Sequence, residues 1–543
     1  MSAYYSVVNR EDQPVVDEQE RIENRESTTK RIVRGVGRLT TRAAVFGALG
    51  ITGGIALSTI VPTEVPLGPG SGRATVTLDG KATVDAGLIG SARKNVDGPS
   101  FGPIDLGIKV RANEISALSR PEDAAPLTEL TVDSVFEDIN DTNISQYGEL
   151  YRTASTESDD VTEALRTNTL KLSFLVGSVC LALYSIPGKK GRREIYNSVT
   201  SRKSLLLLVP LVTGATFASV PAYSHQDWNR VSTEYDGTPL EGVEISGAAA
   251  MELVNNYGQR IMRYIRETDE FYDSAKETAE TEMESRVLLG QRPEDAENTV
   301  FLFFTDNHGN TGTPKIMANV ADIAGAKFAV DTGDTVPSGT GYEEHFIRQQ
   351  MRAFNNRDIE LIQVPGNHDS PITSGFLRKR GAKILSGTAV NVSGVTFLGD
   401  ADPRSSQFGQ GLQQRGGKTI SELGTELADK SCETKEPTIL LVHDKRAADE
   451  ALMRGCVDLS LSGHTHKPEI VSTLRPDDTL TNRITGGSSG GAQEYTLTYG
   501  PLQQDSTFML VSVKDGQLKG RQYFTITADG EFIISPIIDT LSS

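Results

Sequence analysis

An α/β domain in the C-terminal half, preceded by an N-terminal region that spans a membrane three times, is the fold class this 543-residue sequence predicts. Three observations carry it. Short β-type apolar runs between Thr299 and Leu461 each stop at a cluster of Asp, Asn and His; longer uncharged runs lie within the first 224 residues; and Lys and Arg gather beside those longer runs. At roughly 150 residues per domain, the length suits several folding units rather than one.

The polar segment 1–42 is read as a disordered cytoplasmic tail, too poor in apolar residues to offset the entropy of ordering it. Segment 43–62 follows Lys30, Arg31, Arg34, Arg38 and Arg42, is about long enough to cross a bilayer's hydrocarbon core, and is closed by Pro62 and Pro66. Its long polar leader is unlike an ordinary cleaved signal peptide, which favours an uncleaved anchor. Segments 171–188 and 204–224 read as a membrane hairpin around Lys189, Lys190, Arg192, Arg193, Arg202 and Lys203. Both basic clusters fall on the cytoplasmic side if the chain begins inside, which places everything after Ser224 outside. The expectation is a multi-pass plasma-membrane protein whose partner is the membrane and whose C-terminal domain is extracytoplasmic.

Segment 63–168 opens with alternating apolar positions (Ala74, Val76, Leu78) and turns acidic around Asp133 to Asp160, predicting strand and then helix in an extracytoplasmic mixed domain. No spacing there carries chemistry. Over 238–292, Ala248, Met251, Leu253, Tyr257, Ile261 and Ile265 recur near the helical period, predicting a helical connector that spaces the last domain, 298–543, from the bilayer. A net charge of −18 argues against general nucleic-acid binding, which needs clustered Lys and Arg, and no basic patch of that kind is evident. Nothing in the composition sets an oligomeric state. The three cysteines show neither zinc-ribbon nor Cys-x-x-Cys spacing; Cys180 lies in an apolar run, and Cys432 with Cys456 stay open between a pair and two free thiols.

The chemistry sits at strand ends. Thr299 to Thr305 stops at Asp306-Asn307-His308, and Phe328 to Val330 precedes Asp331 and Gly333-Asp334. Leu361 to Val364 precedes Gly366-Asn367-His368-Asp369, Ile439 to Val442 precedes His443, and Leu459 with Leu461 precedes Gly463-His464-Thr465-His466. Five of the seven histidines fall in these motifs, so a reading as five unrelated structural histidines fails. Strand alternation puts His464 and His466 on one side. Asp and His without a thiolate suit manganese, iron or zinc, and a carboxylate can bridge two such ions.

In this order the motifs resemble those of the calcineurin-like metallophosphoesterase family over about residues 298–500, and the pattern Asp-x-His, Gly-Asp, Gly-Asn-His-Asp, a later His and Gly-His-x-His is complete. The resemblance implies a four-layer α-β-β-α sandwich and two divalent metal ions (Mn, Fe or Zn). It gives one ion to Asp306, His308 and His466 and the other to Asn367, His443 and His464, with Asp334 bridging and His368 as the non-ligand catalytic acid. It further implies hydrolysis of phosphomonoester or phosphodiester substrates by a hydroxide bridging the ions. Around this set, Asp369 is expected to orient His368 or to stabilise its turn, Asp331 to hold a ligand in place, and Arg404 to meet a phosphate oxygen. The run Gly486 to Gly491 lacks the lysine of a Walker loop and reads as a flexible rim; His225 and His345 stand outside the set. The alternative, a non-catalytic metal-binding membrane interaction or receptor protein, is disfavoured because no ligand is missing.

Overall fold

Alternation decides the layering of the C-terminal domain. In the strand Thr299–Phe304, Phe301 and Phe303 join one buried cluster while Val300, Leu302 and Phe304 join another. The two-residue period of a strand sends these sets to opposite faces, so both faces must be covered. The computed structural model describes residues 50–114 with breaks, 158–185, and 227–540 apart from short stretches, chiefly 408–410, 435–437, 476–479 and 493–497.

Thr299–Phe304 lies inside an eight-stranded sheet. Parallel to it run Phe328–Asp331, Glu360–Gln363 and Lys383–Ile384; on its other side Ser506–Lys514, Gln517–Ile526 and Phe532–Ile534 follow antiparallel, and Ile538–Asp539 also pairs with Gln517–Ile526. A second, six-stranded sheet has the order Val390–Val392, Val395–Gly399, Thr438–Leu441, Leu459–Ser462, Leu480–Thr485, Glu469–Leu474. Between the sheets, Phe301 stacks on Phe328 at 5.1 Å, and Phe397 of the second sheet meets both edge-on at 5.9 and 5.5 Å. Helices Thr313–Ile323, Glu344–Asn355 and Pro371–Lys379 cover the outer face of the first sheet, and Ile420–Glu433 that of the second. The domain is therefore an α-β-β-α sandwich. Ser370 accepts from Thr373 N–H and Pro371 opens the next helix, which pins the preceding Gly-Asn-His-Asp loop.

The predicted connector over 238–292 is one 37-residue helix, Ala248–Glu284, shared by two cores instead of spacing them apart. Met262 and Ile265 pack with Tyr235, Val243 and Ile245, whereas Tyr272, Ala275, Ala279 and Met283 enter the core of Leu302, Phe304 and Phe524. This second stripe is hard to read in the sequence because two of its members are alanines between acidic residues. Ala275 and Ala279 are fully buried, their small side chains letting the helix approach closely.

Segment 63–114 forms strands of a seven-stranded sheet, ordered Thr63–Leu67, Gly70–Thr77, Gly107–Glu114, Lys81–Asp85, Ser91–Asn95, Glu244–Ser246, Asn229–Arg230. Its last two strands come from residues more than a hundred positions downstream. Glu244 joins the halves by pairing with Lys81 at 3.1 Å and Arg93 at 2.5 Å.

The tail 1–42, segment 204–224 and half of 43–62 lie outside the described residues. The predicted span 171–188 falls largely on the helix Ser158–Ser185, whose first turns are polar and dock Val161 and Leu165 on Val65, Ala74 and Val110. Among the described residues no helix is long and apolar enough to cross a membrane. Cys432 and Cys456 form a disulfide joining the helix Ile420–Glu433 to the approach of Leu459–Ser462.

If the long helix belongs to the domain core, Ala279→Asp buries an unpaired carboxylate and should cost about 3 kcal/mol or more of stability. Denaturant unfolding followed by circular dichroism measures this, and an unchanged midpoint would contradict the shared core.

Candidate metal centre

Parallel strands bring their carboxyl ends together, and ligands gather there. Asp306 follows Thr299–Phe304, Asp334 follows Phe328–Asp331, Asn367 and His368 follow Glu360–Gln363, His443 follows Thr438–Leu441, and His464 and His466 follow Leu459–Ser462. The loops are laced by backbone bonds: Asp306 N–H donates to Gly333 O (2.9 Å), His308 N–H to Asp334 O (3.0 Å) and Gly463 N–H to His443 O (2.9 Å). Among the described residues eight non-glycine positions have positive φ, and five of them are Asp306, His308, Asp334, His464 and His466. Such backbone costs on the order of 1–3 kcal/mol per residue and persists only where the surroundings over-determine it. Here it turns each side chain back across the strand ends.

Two groups result. Asp306, His308 and His466 have ligand atoms within 4.8 Å of one another, as do Asp334, His443 and His464. In the first, His308 Nε2 lies 3.2 Å from His466 Nε2, and His466 Nε2 lies 3.4 Å from Asp306 Oδ1. In the second, His443 Nε2 is 3.0 Å from Asp334 Oδ2 yet has no aligned hydrogen bond. Beside it, Asn367 is buried, its Nδ2–H donates to Ser406 Oγ (2.9 Å), and its Oδ1 has no hydrogen-bond partner. A buried amide oxygen without a donor costs about 1–3 kcal/mol unless something electropositive meets it. The donor set fits two divalent cations.

Histidine tautomers follow from carbonyl groups behind the rings. His443 Nδ1–H donates to Thr332 O (2.8 Å), His466 Nδ1–H to Ala492 O (3.1 Å) and His368 Nδ1–H to Pro337 O (2.5 Å). Each Nε2 is thereby presented to the centre, as in metal sites whose ligand imidazoles are held from behind. Burial pushes the His308 imidazole down to about 4, so it is neutral with a lone pair available. Burial opposes ionisation of Asp306 and Asp334, but facing imidazoles outweigh it and hold both carboxyls below their usual range.

Asp331 and Asp369 do something different. Asp331 accepts from Gly333 N–H (2.9 Å) and Thr335 O–H (2.7 Å), which shapes the loop of Asp334. Asp369 accepts from Asp334 N–H (2.9 Å), Gly366 N–H (2.9 Å) and Thr335 N–H (3.1 Å). It therefore locks two loops together; the orientation of His368 expected of it comes instead from Pro337 O, because both Asp369 oxygens are taken by backbone donors. Burial and the Asp334 charge push Asp369 up to about 6. Arg404, expected to meet phosphate, spends its guanidinium on Asp402 (2.7 Å) and Asp444 (2.8 Å).

The run Gly486 to Gly491 is buried packing under the site and not a flexible rim. Ser488 O–H donates to Asp306 O (2.7 Å), and a Cβ at Gly490 would collide with the Asn307 carbonyl. His345 is buried against Phe346 in the helix Glu344–Asn355, and His225 lies outside the described residues. Sequence reasoning missed Thr305, whose hydroxyl donates to Asp306 Oδ2 (2.8 Å), Ser406, and Glu343, which accepts from Ser338 N–H (2.8 Å) and Thr340 N–H (2.6 Å) and so braces the loop carrying Pro337. Only Thr305, adjacent to Asp306, left a signal in the sequence.

Residues 299–468 match the family model described as calcineurin-like phosphoesterase. Among solved structures the chain is similar to a protein of Thermus thermophilus, at 11% identity over 44% of this chain and 98% of that one, with a TM-score of 0.28. It is similar also to a novel archaeal phosphodiesterase (12%; 44% and 100%; TM-score 0.26) and to a dimetal phosphatase from Danio rerio (9%; 44% and 98%; TM-score 0.29). Comparison with curated proteins gives no match. The assignment rests on the family match, which contains the residues converging on this centre, and by it residues 299–468 form a calcineurin-like phosphoesterase segment, of a family of two-metal phosphoester hydrolases.

Proposed function

We propose that the domain cleaves its phosphoester at the centre between Asp306 and Asp334. Asp306, His308 and His466 would hold one ion and Asn367, His443 and His464 the second, with Asp334 between the two sets. The observation that carries this reading is the pair of Asp and His triads at the meeting edge of the two sheets. Bound there, two divalent ions lower the pKa of a water and neutralise charge on a phosphoester. The chain's own residues do the rest. Asp331 and Asp369 hold the Asp334 loop, and His368, whose N–H donates to Asp334 Oδ1 (2.8 Å), presents Nε2 near His308, with ring centroids 5.0 Å apart. With its Nδ1–H held by Pro337 O, His368 in its imidazolium form would give the Nε2 proton to the leaving oxygen and be left as the neutral Nδ1–H tautomer.

Membrane attachment, with the domain outside, is part of the same proposal. Three things support it: the apolar runs, the disulfide, which belongs to an oxidising compartment, and the sheet shared by 63–114 and 229–246. Strands of one sheet lie on one side of a membrane, and a hairpin of two crossings between the strands 63–114 and 229–246 would return the chain to that side. On the helix Ser158–Ser185, Phe174 is 80% exposed and Leu170 60%, an apolar face that suits lipid. Proximity to a bilayer favours a lipid-linked or envelope phosphoester as substrate.

Metal-stripped full-length protein should not hydrolyse bis-p-nitrophenyl phosphate or p-nitrophenyl phosphate, and manganese should restore turnover. Asp334→Ala should abolish it, and His368→Ala should lower kcat by roughly 10²–10⁴-fold with both ions retained. Equal turnover with and without metal would sink this reading. For topology, Asp529→Cys, on an exposed turn, should react with an impermeant maleimide in intact cells; labelling only after lysis would put the domain inside.

A further inference from the structure

The strand Arg404–Gln407 pairs with Gly411–Gln414 in a two-stranded hairpin apart from both main sheets. Residues in and beside it grip the Gly-Asn-His-Asp loop at alternate positions. Asp402 N–H donates to Pro365 O (2.9 Å), Ser406 N–H to Asn367 O (2.8 Å), and Arg415 Nη2–H to Asp369 O (2.7 Å). Ser406 is the one that also reaches a side chain, accepting Asn367 Nδ2–H at 2.9 Å. Two residues earlier on the same side of the strand, Arg404 bonds Asp444, the neighbour of His443, and Asp444 Oδ2 stands 4.0 Å from His464 Nε2.

We propose that Ser406 is a positioning residue for one metal of the pair. Its hydroxyl takes the amide N–H of Asn367 and leaves Oδ1, which is buried and without a donor, for the cation. An amide can rotate by half a turn, which exchanges its oxygen for its nitrogen with little change in shape. Nitrogen in that place would aim two N–H dipoles at a cation. The Ser406 hydroxyl can accept from the amide nitrogen or donate to the amide oxygen, so it holds the amide plane in place, and a nearby cation selects the rotamer with Oδ1 toward it. Ser406 reaches Asn367, and Arg404 reaches Asp444 beside His443 and His464, so the effect is expected on the ion of that set.

The inference rests on the two-ion reading above, and manganese binding to the full-length protein tests the two separately. Equilibrium dialysis against graded manganese, with elemental analysis, counts ions per chain. Wild-type protein should bind two. Ser406→Ala keeps the backbone bond to Asn367 and should bind one ion as wild type does and the other at least about tenfold more weakly. Ser406→Thr, which keeps a hydroxyl, should restore the second. Ser406→Cys, close in size but a poor acceptor, repeats the comparison if the alanine variant does not fold. Two ions at wild-type affinity in Ser406→Ala, parallel weakening of both, or failure of Ser406→Thr to rescue would each overturn the assignment. Fewer than two ions in the wild type would overturn the two-ion reading itself.

Discussion

Four carboxylates, those of Asp306, Asp331, Asp334 and Asp369, are held almost wholly out of water at one end of the sandwich, and the local structure is organised around that cost. An unpaired buried carboxylate is penalised by several kcal/mol, so each needs protons, donors or cations. Asp331 and Asp369 are satisfied by backbone N–H groups and a threonine hydroxyl, and burial pushes both acids up. Asp306 and Asp334 face imidazoles instead. That division separates the acids that build the loops from the acids that face the chemistry. It also explains the glycines in the motifs: a Cβ on Gly366 would collide with Asp334, and one on Gly463 with Thr305.

What the sequence made legible follows from which forces leave a periodic trace. The continuous apolar run of Thr299 to Phe304, short and rich in aromatic side chains, reads as a strand covered on both faces, with the residues after it at the strand end. The ordered motifs contain the six Asp and His residues that the fold gathers into two groups. Asp331, Asp369 and Arg404 were found as polar neighbours, but their partners were not. A carbonyl such as Pro337 O or Thr332 O has no side chain to announce it, and the contact of Ser406 with Asn367 spans 39 positions with no pattern between them. The seven-stranded sheet was hidden for a related reason: Glu244 and Asn229 join strands from the other side of residues 115–226, and pairing at that range is written in no local period.

The long helix Ala248–Glu284 is the mechanical link between those halves. Its first turns close the small sheet and its last turns form part of the sandwich core, so the small sheet and the catalytic domain share one rigid element. Tyr272 carries this link to the site itself. Its hydroxyl receives Asn310 Nδ2–H at 2.7 Å and lies 3.2 Å from Gly500 O, and Asn310 in turn caps the turn after His308 through Gly312 N–H at 2.9 Å. The helix is thereby tied to the turn that follows Asp306-Asn307-His308.

The centre is also a seam. Asp306, Asp334 and Asn367 come from the first sheet, whereas His443, His464 and His466 come from the second, so each candidate ion draws ligands from both. The Phe301, Phe328 and Phe397 cluster holds the sheets together in the interior by burial alone, which is strong but tolerant of small slides. Coordination has no such tolerance, because ligand distances are set within a few tenths of an ångström. A cation bound across the seam adds to the stability of the closed sandwich in proportion to its affinity, since the unfolded chain has no such site. The aromatic core and the metal centre then act at two ends of the same interface: burial at the core closes it, and a cation bound at the other end would set its register.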